Sequence, residues 1–456
     1  MKRNLTVRET LMISSMLFGM FFGAGNMIFP AALGVSAGNN ILYAFGGMFL
    51  TAVGLPLLAV AALGITRTGS VLEIGTKVSG KFGLLFSLLL YLTIGPLFAV
   101  PRCASTSFAI GAVALGDGFD PAVALAVFSL LFFSAVFVFS RHPGGLMTWI
   151  GKYLNPLFLL LLFCLIAAAL LQPVSPLAAA VPSGKYLQAG YAFAGGFLEG
   201  YNTLDALAGL AFGIVVVDAV RASGVEEAGA VAGATIRAGF FSCLLMGFVY
   251  LLLSVVSAQS APLCGDCKNG SEILGVIAHH YFGSGGALLL FAIVTMACLK
   301  TAIGLVTSCA EAFSQMFPGG PGYRFWSVVF ILASMLIANL GLTTIVTWCV
   351  PVLMFLYPLA IALILLAILG EWLKFGKAVY LSVMSLTAAE AAFDFAHTML
   401  PLLREDSSLR PLFLWGSGLA AEYLPFFAEG FGWLVPALAG LLLGMLLDKR
   451  QKEGSR

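Results

Sequence analysis

Charged residues are scarce in this chain. They make up 10% of its 456 residues, whereas typical soluble domains contain about 25%. Hydrophobic residues reach 60%, and the mean hydropathy is +1.02. This composition excludes an ordinary soluble domain and indicates a protein that crosses the membrane many times. The chain also lacks a basic patch with interleaved aromatic residues, so nucleic acid is not an expected partner.

The sequence has little material for an active site or a metal centre. It contains 4 histidines and no Ser-His-Asp, H-E-x-x-H or paired-carboxylate constellation. Of its 8 cysteines, only Cys264 and Cys267 lie outside the apolar runs, and two cysteines do not make a zinc site by themselves. Their CGDC motif is either a local disulfide or a pair of free thiols. We therefore expect neither enzymatic activity nor a bound cofactor.

Runs of about 20 apolar residues predict an all-α polytopic membrane protein with about twelve transmembrane helices. The spans fall near residues 10–36, 40–65, 83–114, 121–140, 153–172, 189–215, 229–257, 284–312, 325–341, 343–369, 377–400 and 429–447. Basic residues concentrate at both ends of the chain and in alternate loops. The other loops contain only Lys185, Lys268, Arg404 and Arg410. Because basic loops stay in the cytoplasm, both termini are predicted to be cytoplasmic.

The first span contains its own helix breakers, in the sequence FGMFFGAGNMIFPAALG. In lipid, a break is tolerated only where protein, water or ligand takes up the freed backbone groups. Gly23 and Gly25 therefore predict one half-helix that ends near Phe22 with free carbonyls and another that begins near Asn26 with free N–H groups. The carbonyls suit a cation, and the N–H groups suit a carboxylate. The alternative is close helix packing by small residues.

The sixth span, GGFLEGYNTLDALAGLAFG, contains several polar residues next to Gly200. They are Glu199, Tyr201, Asn202, Thr203 and Asp205. Charged side chains at the centre of a membrane helix normally face a cavity or the protein interior. The alternative is a cap at a helix end. The charges and the glycine together predict a second interrupted helix.

An inverted repeat of five helices plus five would place interruptions at equivalent positions in spans one and six. Such a pair of interrupted segments marks the midplane site of a transporter. We therefore predict one transporter domain over residues 1–456 that works by alternating access. Its parts are a first repeat (10–172), a second inverted repeat (189–369) and two additional helices (377–447).

Span eight, ACLKTAIGLVTSCAEAF, adds a charge and several hydroxyl groups. Residues three and four apart share a helix face, so Lys300 and Thr307 fall on one stripe, with Thr301 and Ser308 adjacent. Oxygen donors suit a hard ion such as Na⁺, and the hydroxyls of Thr307 and Ser308 are candidates to complete a cation site with the carbonyls of span one. The alternative for such hydroxyls is a bond to the preceding helical turn.

Span three contains another intramembrane charge, Arg102, in GPLFAVPRCASTSF. An unpaired arginine within the membrane is costly, so it needs a partner. It either pairs with one of the span-six carboxylates, Glu199 or Asp205, or lines the permeation path. Asp394 and His397, near the outer end of span eleven, are expected to be peripheral.

These segments resemble the signature segments of a known family. GMFFGAGNMIFPAALG, GPLFAVPR, GGFLEGYNTLDALAGLAFG and ACLKTAIGLVTSCAE are similar to those of the bacterial branched-chain amino acid:cation symporters, the system II carriers for leucine, isoleucine and valine. The resemblance implies the fold of the bacterial leucine transporter, with ten core helices in two inverted repeats and two further helices. It also implies import of these amino acids across the bacterial cytoplasmic (inner) membrane, coupled to Na⁺ or H⁺.

The resemblance further implies roles for individual residues. The substrate carboxylate would meet N–H groups around Ala24, Gly25 and Asn26, and its ammonium group would meet carbonyls freed near Gly200. Asn26 would also help to hold a cation, because GAGN is similar to the equivalent stretch of the sodium:neurotransmitter symporters. The implied substrate-binding residues are Gly23, Ala24, Gly25, Asn26, Glu199, Gly200, Tyr201 and Asn202. The implied Na⁺-binding residues are Gly19, Phe22, Asn26, Thr307 and Ser308.

Lys300 departs from what we expect of the family, in which a neutral residue would stand at this position. We hypothesise that its positive charge weakens sodium dependence or shifts the coupling toward protons. The alternative is that the side chain extends into an aqueous vestibule. Together with Arg102 and Asp205, Lys300 is a candidate for coupling or gating.

Other functions stay open at this point. Dissimilar spans with broken helices argue against a channel. A membrane enzyme that used Glu199 and Asp205 as acid and base would need them to face each other across the break. A carrier of another small neutral amino acid or a nucleobase, including a proton-coupled one, is the nearest alternative, because a fold does not determine a substrate. Membrane lipid is the other expected partner, and the oligomeric state is open.

Overall fold

The computed structural model describes residues 5–66, 68, 70–115, 120–141 and 155–454. Over these residues the chain is helical and contains no strand, as the apolar runs predicted. Some residues of the predicted topology lie outside this description: Lys2, Arg3, Arg67, Lys152, Arg456 and the first two residues of the fifth span.

The helices of the first half of the chain cover the first five predicted spans. They are α1 (Val7–Phe21), α2 (Gly25–Ala37), α3 (Ile41–Phe49), α4 (Leu55–Thr66), α5 (Val71–Thr76), α6 (Gly80–Leu92), α7 (Ala99–Leu115), α8 (Pro121–Ser140) and α9 (Asn155–Leu171). Two π-helical turns, Leu50–Gly54 and Thr93–Leu97, join α3 to α4 and α6 to α7.

The second half of the chain contains the longest helices. They are α10 (Ala189–Tyr201), α11 (Asp205–Ala222), α12 (Ala228–Gln259), α13 (Gly270–Met316), α14 (Tyr323–Ala338), α15 (Leu342–Leu373), α16 (Lys377–Met399), α17 (Arg410–Tyr423) and α18 (Leu434–Gly454). The sequence analysis did not predict α17. Within the described residues, 7 helical stretches are long and apolar enough to cross a membrane.

Two interruptions were not predicted. Gly283 has φ 63° and ψ −163°, a backbone conformation that favours glycine, so α13 turns sharply there. The predicted span 284–312 lies in the part of α13 that follows this turn. The third span is also distorted, because Gly95 has φ −92° and ψ −116° and the next residue, Pro96, has no N–H group to donate.

Polar side chains outside the apolar runs begin the helices. The hydroxyl of Thr6 accepts a hydrogen bond from the N–H of Glu9 at 3.2 Å, and the carboxylate of Glu9 accepts one from the N–H of Thr6 at 2.9 Å. This reciprocal pair satisfies the free donors at the start of α1. Asn269 begins α13 in a similar way, by accepting from the N–H groups of Ser271 and Glu272.

The CGDC loop between α12 and α13 contains free thiols at Cys264 and Cys267. Burial, and to a lesser extent the neighbouring Cys267, raises the pKa of the Cys264 thiol to about 12. The structure therefore favours the free-thiol alternative, with a protonated and unreactive Cys264.

The packing of the helices repeats when the two halves of the chain are exchanged. The first span packs on the seventh (α2 on α12), and the sixth packs on the second (α10 on α3, α11 on α4). The third packs on the eighth (α7 on α13). The fourth also packs on the eighth (α8 on α13), as the ninth packs on the third (α14 on α7). When each of spans one to five is exchanged with its counterpart in spans six to ten, the contact of one with seven becomes that of six with two, and the contact of four with eight becomes that of nine with three. The contact of three with eight is converted into itself.

Glycines permit the close approach of α3 and α10. A Cβ added at Gly196 would overlap the backbone carbonyl of Ala44, and one added at Gly200 would overlap the hydroxyl of Thr51. Thr51 in turn donates its hydroxyl to the carbonyl of Phe197 at 2.8 Å. Small residues thus bring the two backbones together, as is common where membrane helices pack tightly.

We predict that Gly196→Ala destabilises the protein by about 1–3 kcal/mol, because backbone must move to admit the methyl group. The measurement is the midpoint of thermal unfolding in detergent. Gly190→Ala is the matched control, since Gly190 lies on the same helix and a Cβ there would meet nothing within 4 Å. Equal midpoints for the two variants would contradict the close packing of α3 and α10.

Candidate functional site

The first predicted span is broken at its middle. α1 ends at Phe21, α2 begins at Gly25, and Phe22 between them has extended backbone angles of φ −73° and ψ 93°. These ends lie close to the predicted positions, Phe22 and Asn26. The break is buried, with Phe22 at 0% and Asn26 at 2% exposure. Its backbone groups therefore need partners within the protein or in a ligand.

The side chain of Asn26 rearranges the hydrogen bonds at this break. Its Oδ1 accepts from the N–H of Gly23 at 2.9 Å. In a continuous helix that N–H would donate to the carbonyl of Gly19, four residues earlier, so this carbonyl loses its helical donor. The carbonyl of Phe22, at the break itself, accepts from the hydroxyl of Thr301 at 3.4 Å. The carbonyl end of α1 thus has partial negative charge directed at α13.

The sixth predicted span is broken as well, but later than predicted. α10 ends at Tyr201 and α11 begins at Asp205, with Leu204 in the left-handed region at φ 67° and ψ 8°. Gly200 lies inside α10, where its carbonyl accepts from the N–H of Thr203 at 3.2 Å and from the Thr203 hydroxyl at 2.8 Å. Thr203 thus occupies the carbonyl of Gly200 itself, and the carbonyls freed at this break lie two and three residues later, at Asn202 and Thr203. Gly200 instead serves the close contact with α3.

One buried network joins the two breaks. The amide of Asn26 donates to both carboxylate oxygens of Asp205 at 2.8 Å. The hydroxyl of Tyr250, on α12, donates to Oδ2 of Asp205 at 2.7 Å and also contacts the Asn26 amide. Asp205 is 2% exposed and begins α11, where the N–H groups of the first turn favour negative charge. A carboxylate is thus held between three helices with charge-assisted hydrogen bonds.

Arg102 lies at both breaks. Its Nη1 donates to the carbonyl of Asn202 at 2.6 Å and its Nη2 to the carbonyl of Thr203 at 3.4 Å. A Cβ added at Gly25 would lie 2.6 Å from Nη2, and the guanidinium carbon is 5.0 Å from the ring centre of Phe29. In the described part of the chain, the hydrogen-bond partners of Arg102 are therefore the carbonyls freed in span six, and not a span-six carboxylate as one alternative held.

A small cavity lies between the breaks, with a volume of about 30 Å³. We name it the central cavity. Its polar wall is Gly23, Ala24, Gly25, Asn26, Arg102, Thr203, Asp205 and Thr301, and its apolar wall includes Phe21, Ile94, Phe212 and Leu305. A water molecule needs roughly 10–15 Å³ by this measure, so the central cavity has room for about two. A larger solute fits only after side chains or helices move.

A second cavity of about 250 Å³ lies on the side of the bundle that is predicted to face outward. We name it the outer cavity. Its polar wall is Lys185, Glu199, Tyr201, Asn202, Asp394 and His397. The predicted substrate-binding residues of span one thus line the central cavity, whereas Glu199, Tyr201 and Asn202 of span six line the outer one. Asp394 and His397, which we expected to be peripheral, share the outer wall with Glu199.

Lys300 is buried beside the first break. It is 5% exposed, and its ammonium nitrogen lies 5.4 Å from the ring centre of Phe158. The other neighbour of that ring is Phe22, at 5.4 Å between ring centres. This burial contradicts the alternative in which the side chain extends into an open vestibule. The ring of Phe158 thus contacts both Lys300 and Phe22, so the charge of Lys300 lies near the end of α1.

The structure does not bring Thr307 and Ser308 to these carbonyls. Thr307 is about 9 Å farther along the axis of α13 than Thr301, at 1.5 Å per residue. Its hydroxyl accepts from the Tyr323 hydroxyl at 3.4 Å, and Ser308 lines a separate cavity of about 140 Å³. Among the described residues, the span-eight hydroxyl that contacts a span-one carbonyl is that of Thr301, and the cation site with Thr307 and Ser308 stays a prediction.

Sequence reasoning missed Tyr250. Its signal was a phenol within the apolar run MGFVYLLLS, because a buried tyrosine hydroxyl usually needs a partner. Thr301 was noticed beside the span-eight stripe but not assigned to the ion. Helical periodicity places residues on a common face without showing which turn of that face meets the break.

The chain matches the family model for branched-chain amino acid transport proteins over residues 6–451. A relative from Lactobacillus delbrueckii subsp. lactis, the branched-chain amino acid permease BrnQ, is 46% identical over 437 residues, which is 96% of this chain and 96% of that protein.

Two solved structures resemble the fold. A nucleobase-cation-symport-1 family transporter in a closed conformation has a TM-score of 0.58 at 14% identity, over 95% of this chain and 91% of that chain. A Na⁺-coupled sialic acid symporter in an outward-open state has a TM-score of 0.60 at 16% identity, over 96% and 90%. At these identities the likeness concerns the fold alone, which is that of transporters resembling the leucine transporter.

We predict that Tyr250→Phe lowers the free energy of unfolding by about 1–3 kcal/mol, because it removes a donor from a buried carboxylate. The matched control is Tyr281→Phe, since the hydroxyl of Tyr281 also donates at 2.8 Å, but to the carbonyl of Gln172 near the surface. Thermal unfolding in detergent measures both. A shift no larger for Tyr250→Phe than for the control would contradict a stabilising role of the network.

Proposed function

Because the chain belongs to the branched-chain amino acid transport protein family, we propose that it is a secondary active symporter that imports leucine, isoleucine and valine with Na⁺ or H⁺ by alternating access. Membership makes the chain a multi-pass membrane transport protein and not an enzyme. The observation that carries the mechanism is the pair of facing helix breaks, joined by the bond between Asn26 and Asp205.

In this proposal the chain crosses the bacterial inner membrane twelve times, with both termini in the cytoplasm. Spans one to five and six to ten form two inverted repeats, and two further spans follow. The exchange of contacts between the two halves supports this arrangement, because an inverted repeat generates such paired contacts. Exposed apolar side chains on the outer helices, such as those of α8, would face lipid.

The substrate would bind in an enlarged central cavity. Its carboxylate would meet the N–H groups of Ala24, Gly25 and Asn26, which begin α2 and have the positive end of that helix behind them. The guanidinium of Arg102 adjoins the same place and adds positive charge. The branched side chain would lie against the apolar wall, which is formed by Phe21, Ile94, Phe212 and Leu305.

The cation would bind at the carbonyl end of α1. The carbonyls of Gly19 and Phe22 and the hydroxyl of Thr301 supply oxygen ligands there, which suit a hard ion such as Na⁺. Asn26 acts indirectly, by taking the N–H of Gly23 and so freeing a carbonyl. The carboxylate of Asp205 neutralises part of the ion's charge across the break. Ion and substrate would thus bind to opposite ends of the same interruption.

The central cavity is too small for an amino acid, so transport requires the helices around the two breaks to move apart. Opening on one side would expose the breaks to the outer cavity, where Glu199, Tyr201 and Asn202 form the first polar surface that a solute meets. Opening on the other side would release the solute to the cytoplasm. Asp205 and Arg102 have gating roles in this scheme, because each bonds across the interface that must open.

We predict that leucine, isoleucine and valine raise the midpoint of thermal unfolding of the purified protein, and that Na⁺ increases the effect. At about 100 times Kd a ligand stabilises by about 2.7 kcal/mol. The measurement is a thermal scan with each of the twenty amino acids and with nucleobases, in Na⁺ or choline buffer. A response to a nucleobase or to another amino acid, and none to these three, would contradict the proposed substrate.

Lys300 provides a test of the coupling. We predict that Lys300→Met makes leucine uptake into proteoliposomes depend more strongly on an imposed Na⁺ gradient, because a fixed cation near the end of α1 is removed. Lys377→Met, which alters an exposed lysine at the start of α16, is the control. The hypothesis fails if the wild type is fully sodium-dependent and Lys300→Met leaves that dependence unchanged.

A further inference from the structure

Two acidic side chains lie buried in α16, outside the central cavity. Glu390 and Asp394 are each 2% exposed, and their spacing puts them on one face of the helix. One helical turn apart, the two carboxyl groups lie within electrostatic reach of one another. In the described part of the chain, both oxygens of Glu390 and one of Asp394 have no hydrogen-bond donor. The sequence analysis set Asp394 aside as peripheral and did not consider Glu390.

Two buried donors near this pair have no hydrogen-bond acceptor among the described residues. They are the hydroxyl of Tyr201, 1% exposed, and the indole N–H of Trp433, 5% exposed. Tyr201 lies beside Trp433 and within electrostatic reach of both carboxyl groups. A Cβ added at Gly432, the residue before Trp433, would overlap Oε1 of Glu390. Unsatisfied donors and acceptors thus meet in one buried place between α10, α16 and the start of α18.

Two carboxylates one turn apart and this deeply buried do not both ionise, because like charges repel strongly in a medium of low dielectric constant. A bound cation or one shared proton resolves the conflict. An indole N–H repels a metal ion, since it is a donor only. In addition, the described residues contain no group of three His, Cys, Asp or Glu side chains suited to a metal. A proton is therefore the ligand that this chemistry fits.

The other titratable groups around the pair, among the described residues, do not supply the positive charge that would balance two carboxylates. Tyr201 comes from α10, and Tyr357 from α15 stacks on it at 4.1 Å between ring centres. His397, one turn along α16, directs its Nδ1 to the hydroxyl of Ser417 on α17 at 2.7 Å. Farther out, Glu199 and Lys185 face each other in the wall of the outer cavity.

We propose that Glu390 and Asp394 share one proton and form a proton-binding site, filled from the outer cavity and separate from the cation site of span one. Asp394 lines the outer cavity, so a proton from its water can reach the pair. Tyr201 is the last residue of α10, so a change of charge on the pair acts directly on the break in span six.

This inference rests on the proposed symport, because it makes the pair a second, proton-linked control of import. Proton binding removes a negative charge beside Tyr201 and so favours the closed packing around it. Import is therefore expected to rise as the external pH falls, at a constant Na⁺ gradient.

Infrared difference spectroscopy of the purified full-length protein tests proton binding without transport. We expect a carbonyl band of a protonated carboxylic acid that persists at neutral pH in the wild type and in Glu422→Gln, which alters an exposed carboxylate of α17. The band should be lost in the double variant Glu390→Gln with Asp394→Asn. A wild type without such a band at any pH from about 5 to 9, or a band retained in the double variant, would overturn the proposal.

Initial rates of leucine uptake into proteoliposomes test the link to import. With the Na⁺ gradient held constant, we expect the wild type and Glu422→Gln to speed up several-fold as the external pH falls from about 8 to 6, a range that the pKa of a deeply buried carboxyl group can reach. Glu390→Gln, which mimics the protonated form, should transport at a rate independent of pH. An unchanged pH profile in Glu390→Gln and Asp394→Asn would overturn the link. Absence of leucine uptake by the wild type would instead contradict the proposed function.

Discussion

The centre of this molecule depends on one side chain, the amide of Asn26. A broken helix in lipid is stable only if its freed backbone groups find partners. The amide of Asn26 forms hydrogen bonds at both breaks. Its oxygen takes the N–H of Gly23 and so ends α1, while its nitrogen donates to Asp205 at the start of α11. One amide therefore bonds at both interruptions, and a disturbance at either break reaches the other through it.

The helix packing explains how the helices can move although hydrogen bonds join the two breaks at the centre. Contacts within the described bundle pair span one with seven, two with six and three with eight, so each half is built into the other. Glycines such as Gly196 bring backbones together without long side chains that would interlock. Between the halves, the polar bonds concentrate around Asp205 and Arg102. A few strong, local bonds at an interface of small residues suit a structure with two stable arrangements.

The breaks were predictable from the glycines and charged residues that stand together in apolar runs. Within a membrane such a combination occurs mainly where a helix is interrupted inside the protein. The first was located within a few residues, but the second was placed too early, because Gly200 serves close packing with Thr51 and the turn comes at Leu204. The partner of Arg102 was also not predictable. A backbone carbonyl becomes an acceptor only where the chain has left the helix, and the residue at which it does so is a matter of tertiary contacts.

The sequence alone determined the membrane class, the helical architecture, the existence of both interruptions and the family, because each follows from composition, from apolar run length or from a local motif. Tertiary structure decided which side chains meet. It placed the hydroxyl of Thr301 at the carbonyl of Phe22, added Tyr250 to the network and divided predicted substrate residues of spans one and six between two cavities. The reason is geometric: a helical repeat gives the face on which a residue lies, whereas the depth at which two helices cross depends on the packing of the whole bundle.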